Sequence, residues 1–387
     1  MSRPLRLVFI GLSLSSSWGN GHATTYRALL RALARRGHEL LFLEHDQPWY
    51  AANRDLPDPD FCRLELYSGP AGLTAWREAV AAADAVIVGS YVAEGVAVSS
   101  WVQSVATGVT AFYDIDTPVT LAKLERGDFE YLSPDLIPGF DLYLSFTGGP
   151  TLAHLMQRYG AAAAHPLYCS VDTEAYRPQP TPQHYDLGYL GTYSPDRQPT
   201  LETLLLKPAR ALPELRFVVA GPQFPRGIAW PSNVAHVEHV PPRDHARFYN
   251  ACRFTLNVTR ADMVRAGYSP SVRLFEAAAC GTPIISDHWC GIETIFTPDV
   301  EICIARDSGD VVELLTGCPE PRRRAIGDAA RRRVLAEHSA DRRAAGLEEV
   351  LLQCIDDAAD RRPVRAAATG GDRGRGRGMR PHLRVVK

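Results

Sequence analysis

The clearest chemical signal in the sequence is a pair of charged residues inside an apolar segment. Ser269 is a typical N-cap residue and Gly281 a typical helix stop, so a helix is predicted over Pro270–Cys280. A helix that is apolar nearly all round is buried, and its two charges, Arg273 and Glu276, then need partners. Free N–H groups at the helix start favour an anion, and Arg273 suits a diphosphate. Glu276 suits ribose hydroxyls; the alternative is an internal Arg273–Glu276 ion pair.

A second set of polar residues follows apolar runs in the first half of the chain. Gly19–Gly21 lies in a loop whose backbone amides can approach a phosphate or an acceptor. His22 opens the next helix and is a candidate general base, with Asp114 or Asp116 as its partner. At most one of the two aspartates is expected to meet His22. Alternatively, His22 caps or packs the helix, and the aspartates bind the backbone of their turn.

The predicted strands and helices that position these residues alternate along the first half of the chain. A helix is predicted over Thr24–Arg36. Uninterrupted apolar runs separated by helices are typical of a parallel sheet covered on both faces, which predicts a doubly wound, Rossmann-like domain. The predicted strands are Leu5–Gly11, Glu39–Glu44, Ala85–Gly89, Val109–Tyr113 and Leu142–Phe146.

The same alternation restarts after a proline-rich stretch from Pro166 to about His184, which has the composition of a linker. A second Rossmann-like domain is therefore predicted, with strands at Leu187–Leu190, Leu215–Ala220, Arg253–Asn257 and Pro283–Ser286. The predicted organisation is an N-terminal domain (1–168), a linker (169–186), a C-terminal domain (187–335), a helix returning to the N-terminal domain (336–360) and a disordered Arg/Gly tail (361–387).

Composition narrows the class of protein. The 387 residues are 45% hydrophobic and 22% charged, with a net charge of −2, so we do not expect nucleic acid as a partner. The basic tail is interpreted as a solvated segment. The eight cysteines show no CxxC pair or zinc-ligand spacing, so no metal site and a cytoplasmic location are predicted. The apolar run Leu7–Leu12 is too short for a signal peptide or a membrane span.

The stretch Gly267–Pro283 (GYSPSVRLFEAAACGTP) resembles the signature of the bacterial group 1 glycosyltransferases, and most of all their CgeB-type branch. In that superfamily a Glu before a short Ala-Cys-Gly-x-Pro run holds the ribose of the donor, which implies this role for Glu276. Many relatives carry a second Glu beside the donor sugar; here that position is Tyr268. The resemblance covers residues 185–350 in sequence and the first half by architecture.

The resemblance implies an α/β fold of the GT-B type, with two Rossmann-like domains facing a central cleft. It also implies that Arg197 reaches the phosphates and that His239 and Val240 grip the base. Further contacts with the donor are expected from the strand end and the helix start, and loosely from a later loop: Gly191, Ser271, Val272 and Glu293.

The implied activity is sugar transfer from a nucleotide-diphosphate sugar, of UDP or GDP type, to a small-molecule or glycan acceptor. The acceptor is expected to enter against Trp18, Asn20 and residues 114–117, with Thr147–Pro150 as another cleft wall or an ordinary turn. No cofactor or metal is expected, because arginines and a helix dipole meet the leaving-group charge. The resemblance favours retention, whereas a His22 base gives inversion. Alternatives are a nucleotide-sugar epimerase, a non-catalytic nucleotide-sugar-binding protein and, through the tail, nucleic-acid binding or modification.

Overall fold

Two parallel β-sheets, each packed between helices, form the body of the protein. The computed structural model describes residues 3–18 and 21–368. The first sheet has seven strands and the second has six, and the paired strands run parallel in both. The prediction of two doubly wound domains is therefore confirmed.

The N-terminal sheet has the strand order β3-β2-β1-β4-β5-β6-β7. Its strands are β1 (Arg6–Gly11), β2 (Glu39–His45), β3 (Arg63–Tyr67), β4 (Ala85–Gly89), β5 (Val109–Asp114), β6 (Leu142–Ser145) and β7 (Ala164–Pro166). Its helices are α1 (His22–Arg35), α2 (Pro48–Ala51), α3 (Gly69–Gly72), α4 (Arg77–Ala82), α5 (Gly95–Val105), α6 (Thr117–Glu125) and α7 (Pro150–Tyr159), with 3₁₀ turns at Leu73–Trp76 and Pro134–Gly139.

Both faces of this sheet are buried, which is why its central strands are continuously apolar. Along β1, Leu7 and Phe9 pack into the hydrophobic core that α1 covers. The alternate residues Val8 and Ile10 pack into a separate core on the opposite face. Burial on both faces removes the apolar–polar alternation that a half-exposed strand shows.

The C-terminal sheet has the order β10-β9-β8-β11-β12-β13. Its strands are β8 (Tyr185–Leu190), β9 (Phe217–Ala220), β10 (Val234–Val237), β11 (Cys252–Asn257), β12 (Ile284–Ser286) and β13 (Cys303–Ile304). Its helices are α8 (Gln198–Leu201), α9 (Lys207–Ala211), α10 (Pro242–Asn250), α11 (Ala261–Ala266), α12 (Val272–Ala279), α13 (Ser308–Gly317) and α14 (Glu320–Arg333). A π-helical turn at Glu202–Leu206 joins α8 to α9, another lies at Val334–His338, and a 3₁₀ turn lies at Ile292–Thr294.

The helix α12 begins two residues later than the sequence predicts. Ser271, with extended backbone, is its N-cap. Ser269 instead accepts a hydrogen bond from the Thr147 hydroxyl of the N-terminal domain at 2.9 Å, and the Pro270 carbonyl accepts one from Cys169 at 3.8 Å. Contacts between the domains thus occupy the residues whose types predict the helix start.

A long final helix, α15 (Ala340–Ala368), returns to the N-terminal domain and packs on α1. Arg35 of α1 forms an ion pair with Asp341 at 2.8 Å. Buried Glu348 lies 3.4 Å from His38 and also pairs with Arg36. The helix continues past Arg361, so disorder is predicted too early; alanine and arginine there are strong helix formers. The rest of the predicted tail lies outside the described residues, and no helix within them has the length and apolarity for a membrane span.

Candidate functional site

Two adjoining pockets lie in the cleft where the carboxyl ends of both sheets face each other. The larger pocket, of about 270 Å³, lies among Leu190, Gly221, Val240 and Glu276. The smaller pocket, of about 180 Å³, lies among His22, Asp116, Arg260 and Met263. Ligand sites of open α/β sheets occupy this position beyond the carboxyl ends of the strands. Four residues line both pockets: Gly21, Arg197, Val272 and Arg273.

Arg273 is held at the junction of the two pockets by neutral partners. Its Nε donates to the carbonyl of Leu190 at 2.5 Å, and its Nη1 donates to Oδ1 of Asn257 at 2.9 Å. The guanidinium also lies 4.7 Å from the centroid of the Tyr189 ring. A Cβ on Gly191 would meet its Nη2 at 2.5 Å, so a glycine lets the strand end approach this arginine. These contacts fix the guanidinium in a largely buried position.

Asn257, which sequence reasoning missed, organises this wall. Its Oδ1 accepts hydrogen bonds from Arg273 and from the Ser271 hydroxyl at 2.7 Å. Its Nδ2 donates to Thr259 and Ser286, which fixes the orientation of the amide. In the sequence, Asn257 stands out only as a polar residue at the end of the apolar strand β11.

Glu276 faces the larger pocket from the same helix. Its Oε2 accepts a hydrogen bond from the Tyr249 hydroxyl at 2.9 Å and lies 4.0 Å from Nδ1 of His245. Within the described residues Glu276 and Arg273 form no ion pair with each other, so the internal pair considered from the sequence does not occur. Each charge of this buried helix is separately available to a ligand.

Two further arginines approach the junction. The Nη2 of Arg197 donates to the carbonyl of Thr192 at 2.7 Å, while burial, followed by the positive charges of Arg273 and Arg260, lowers its pKa. Arg260 lies on the other side and approaches Asp116 at 3.4 Å. The Nε atoms of Arg197 and Arg260 are buried without a hydrogen-bond partner among the described residues. This concentration of positive charge favours an anionic ligand.

The far end of the larger pocket is formed by His239 and Val240. The Val240 carbonyl lies 3.0 Å from Nε2 of His245, whose Nδ1 is 3.1 Å from the Tyr176 hydroxyl. This network links the loop before α10 to the surroundings of Glu276 and stiffens that end. His239 and Val240, which the sequence predicts to contact the base, both line the pocket that Glu276 faces.

On the N-terminal side, His22 and Asp116 line the smaller pocket without a hydrogen bond between them. Tyr91 lies between the two: its hydroxyl donates to Oδ2 of Asp116 at 3.0 Å, and its ring packs edge-on against His22, with 5.3 Å between centroids. Burial lowers the pKa of His22 to about 4. Burial also raises the pKa of Asp116, which Arg260 and Tyr91 partly offset. The predicted His–Asp dyad is not formed, because Tyr91 occupies the space between its members.

Comparisons with known proteins bear on the whole cleft. Residues 197–349 match a family model described as glycosyl transferase-like. Among curated proteins no match was found. The sucrose-phosphate synthase of Thermosynechococcus elongatus is similar in structure, with a TM-score of 0.66 and 14% identity over 90% of this chain and 98% of that one. Anabaena HepE, solved with UDP and glucose, has a TM-score of 0.68 and 13% identity over 90% and 99% of the two chains.

A third similar structure is an alpha-glucosyltransferase solved with UDP and a DNA 13-mer, with a TM-score of 0.64 and 11% identity over 90% of this chain and 100% of that one. Structural similarity at 11–14% sequence identity establishes the fold alone, and that fold is GT-B. The family model matches within the C-terminal half of the chain, and the fold over both halves is that of GT-B structures. The CgeB-type branch stays a prediction, because the matched family is described more broadly.

Two of the predicted site residues lie outside the cleft of this GT-B fold. Asp114 is buried behind it, where its carboxylate accepts from Tyr143 at 2.6 Å and from Thr120 at 2.7 Å. Burial raises its pKa to about 6. A turn at residues 115–116 separates its carboxylate from that of Asp116, whereas a continuous strand would place the two on one face. Glu293 is exposed in a 3₁₀ turn and lines neither pocket, so the loose match of its loop was misleading.

Tyr268, which replaces the usual second Glu, packs between the domains. Its ring lies against Gly149 and Gly291, and its carbonyl accepts from the Gly148 N–H at 2.9 Å. The Thr147–Pro150 loop is therefore a contact between the two domains. Gly21, Ser271 and Val272 line the pockets as predicted, whereas Gly19 and Asn20 lie outside the described residues. Within the part of the chain that is described, no cluster of three His, Cys, Asp or Glu residues has metal-binding geometry.

Proposed function

We propose that the protein transfers a sugar from a nucleotide-diphosphate sugar, of UDP or GDP type, to a hydroxyl of a small-molecule or glycan acceptor. One observation carries the proposal: Arg273 and Glu276 project from one turn of α12 into the cleft of a GT-B fold, each held by neutral partners. In this arrangement Arg273 and Arg197 meet the diphosphate at the helix start, and Glu276 holds the ribose.

The proposed site defines one orientation of the bound nucleotide along the cleft. With the diphosphate at the junction and the ribose at Glu276, the base reaches His239 and Val240. The donor sugar then extends past Gly21 toward the smaller pocket, where the acceptor meets it beside Asp116. HepE and the alpha-glucosyltransferase were both solved with UDP, which makes a uridine nucleotide the first choice.

Retention of the anomeric configuration fits the geometry better than inversion. His22 lacks a carboxylate partner among the described residues, and burial lowers its pKa to about 4, so it is a weak base. In the retaining reaction the bond from the anomeric carbon to phosphate breaks while the acceptor oxygen attacks from the same face. The acceptor proton passes to the departing phosphate oxygen. Arg197 and Arg273 stabilise the charge that develops on that oxygen.

We also propose that the transfer needs no divalent metal and takes place in the cytoplasm. Three arginines near the diphosphate position supply the positive charge that a metal provides elsewhere. The seven cysteines from Cys62 to Cys318 form no disulfide within the described part of the chain, which suits a reducing compartment.

The proposal is tested by incubating the purified protein with a panel of UDP- and GDP-sugars and measuring nucleotide release, with and without EDTA. One nucleotide sugar is expected to release its diphosphate, with water or an added sugar as acceptor, at a rate that EDTA leaves within twofold. Proton NMR of the first product is expected to show the donor's anomeric configuration. Conversion of the donor to another nucleotide sugar would indicate an epimerase, and loss of activity restored by Mn²⁺ would contradict metal independence.

A further inference from the structure

Tyr91, beside the smaller pocket, has a backbone conformation that tyrosine rarely adopts. Its φ is 62°, in the left-handed region, where a Cβ crowds the backbone. The preceding residue, Ser90, accepts a hydrogen bond at its Oγ from the N–H of Ile115 at 3.0 Å. The Tyr91 hydroxyl bonds to Asp116, the next residue along. Two consecutive residues after β4 thus hold two consecutive residues after β5, and strain of this kind concentrates at functional sites.

The contact with Tyr91 leaves one oxygen of Asp116 without a partner. Tyr91 donates to Oδ2, which Arg260 also approaches at 3.4 Å. Oδ1 is buried and has no hydrogen-bond partner among the described residues. A buried carboxylate oxygen without a partner is costly unless a ligand or water supplies a donor. Because the hydrogen bond to Oδ2 fixes the rotation of the carboxylate, Oδ1 is held in place as a free hydrogen-bond acceptor.

We propose that Tyr91 is a positioning residue, holding Asp116 so that Oδ1 accepts a hydrogen bond from an acceptor hydroxyl beside the one that receives the sugar. This inference rests on the proposed function and adds the chemistry of the group recognised: a neutral alcohol, as in a sugar or polyol. A phosphate or carboxylate at the same point would be repelled by the Asp116 charge. Tyr91 itself acts only through Asp116.

The walls of the smaller pocket suit such an alcohol. Ile115, Phe146 and Met263 form an apolar side, and Thr25 and Asp116 supply polar groups. A site with apolar walls and a few fixed polar groups is typical of small-molecule recognition, and a sugar presents both kinds of surface. The pocket also adjoins the larger one at Gly21 and Arg273, where the proposed donor sugar enters.

Removing the Tyr91 hydroxyl changes the electrostatics of Asp116 in a known direction. Burial raises the pKa of Asp116, while Arg260 and the Tyr91 hydrogen bond lower it. Without that hydrogen bond the pKa rises further, so a larger fraction of Asp116 is protonated at acidic pH. The titratable or charged groups around it, from every neighbouring element, are His22, Tyr91, Asp114, Tyr131, Cys169, Arg197, Arg260, Asp262 and Arg273.

The test compares Tyr91→Phe with Tyr143→Phe. Each variant removes a tyrosine hydroxyl that donates a hydrogen bond to an aspartate at or just after the end of β5. Tyr143, however, bonds to Asp114, which is buried behind the cleft. The measurements are the release of UDP from UDP-glucose and of GDP from GDP-mannose, with water and with added glucose as acceptors, and the Kd of each diphosphate by calorimetry.

For Tyr91→Phe we expect kcat to fall about tenfold, the value of one hydrogen bond, and the acid limb of the pH profile to move to higher pH. The diphosphate Kd stays within twofold. For Tyr143→Phe we expect a lower Tm with wild-type kcat and pH profile. Wild-type turnover and pH profile in Tyr91→Phe would overturn the role of Tyr91, as would equal losses in both variants. A wild-type protein that releases no nucleotide would contradict the proposed function itself, and this role with it.

Discussion

At the scale of single residues, the donor side of the cleft is built from charges held by uncharged groups. Arg273 is fixed by a carbonyl and an amide oxygen, and Glu276 by a tyrosine hydroxyl. Because these partners are uncharged, Arg273 and Glu276 can both still interact with charged or polar groups of a ligand. Fixed charges of this kind need little reorganisation when substrate binds, which is the usual source of electrostatic catalysis.

The ribose assignment predicts a specific effect of Glu276→Gln. The amide keeps the shape but replaces a charged hydrogen-bond acceptor, so the Kd for UDP should rise at least about tenfold. UDP lacking the 2′- and 3′-hydroxyls should bind wild type and variant equally weakly, because the lost partner is absent in both cases. Calorimetric titration of the four combinations measures this coupling.

A matched control is Glu293→Gln, since Glu293 is exposed and lines neither pocket. It should leave both Kd values unchanged. If Glu276→Gln weakened the dideoxy nucleotide as much as UDP, Glu276 would act on another part of the ligand or only on the fold.

The sequence led to pocket residues by two routes. Arg273 and Glu276 were singled out by the helix pattern, and Arg197 and Val240 by the family resemblance, and all four line the larger pocket. Tyr91, Asn257 and Arg260 were missed, since their roles arise from contacts between segments distant in the sequence. Strand alternation would place both aspartates on one face, and the turn after β5 that separates them was not predictable from the local pattern.

At the scale of elements, the junctions between strands and loops determine how closely the pocket walls approach. Gly221 follows β9 with a φ of +149°, and a Cβ there would lie 2.1 Å from the carbonyl oxygen of Gly191. The Gly191 N–H also donates to the Ala220 carbonyl at 2.8 Å. Two glycines at adjacent strand ends therefore let the loops of β8 and β9 meet beside Arg273.

This contact predicts that Gly221→Ala reduces both stability and nucleotide binding. Backbone strain costs about 1–3 kcal/mol, and the loop of β8 that faces Arg273 must shift. Gly227→Ala is the control, because nothing lies within 4 Å of the Cβ it adds. Urea denaturation and UDP titration of both variants measure the two effects. Equal stability of the two variants would show that the loops tolerate the added Cβ.

Central elements are predictable from sequence and peripheral ones are not. The fully buried strands β1, β4 and β5 read as continuous apolar runs, which is why they were predicted. The edge strands β3 and β10 are partly exposed and mix polar with apolar residues, so their pattern resembles a loop. The start of α12 was misplaced because a contact with the other domain captures Ser269.

At the scale of the whole molecule, the cleft joins two chemically different walls. The C-terminal wall contributes Arg197, Arg273 and Glu276, and the N-terminal wall contributes His22 and Asp116. The α15 helix links the domains through its packing on α1. Under the proposed function, the donor would lie on one domain and the acceptor on the other, with transfer where the pockets meet.

The measurement that tests this account most directly is calorimetric titration of UDP and GDP into wild type, Arg273→Ala, Arg273→Lys and Arg323→Ala. Arg323 is as buried as Arg273 but bonds to Glu320 and the Arg253 carbonyl, away from the cleft, so it controls for loss of a buried arginine. We predict that one diphosphate binds wild type and Arg323→Ala alike, at least about tenfold more weakly to Arg273→Ala, and with intermediate affinity to Arg273→Lys. Binding of neither diphosphate to the wild type, or equal binding to all four proteins, would contradict the donor site at the start of α12.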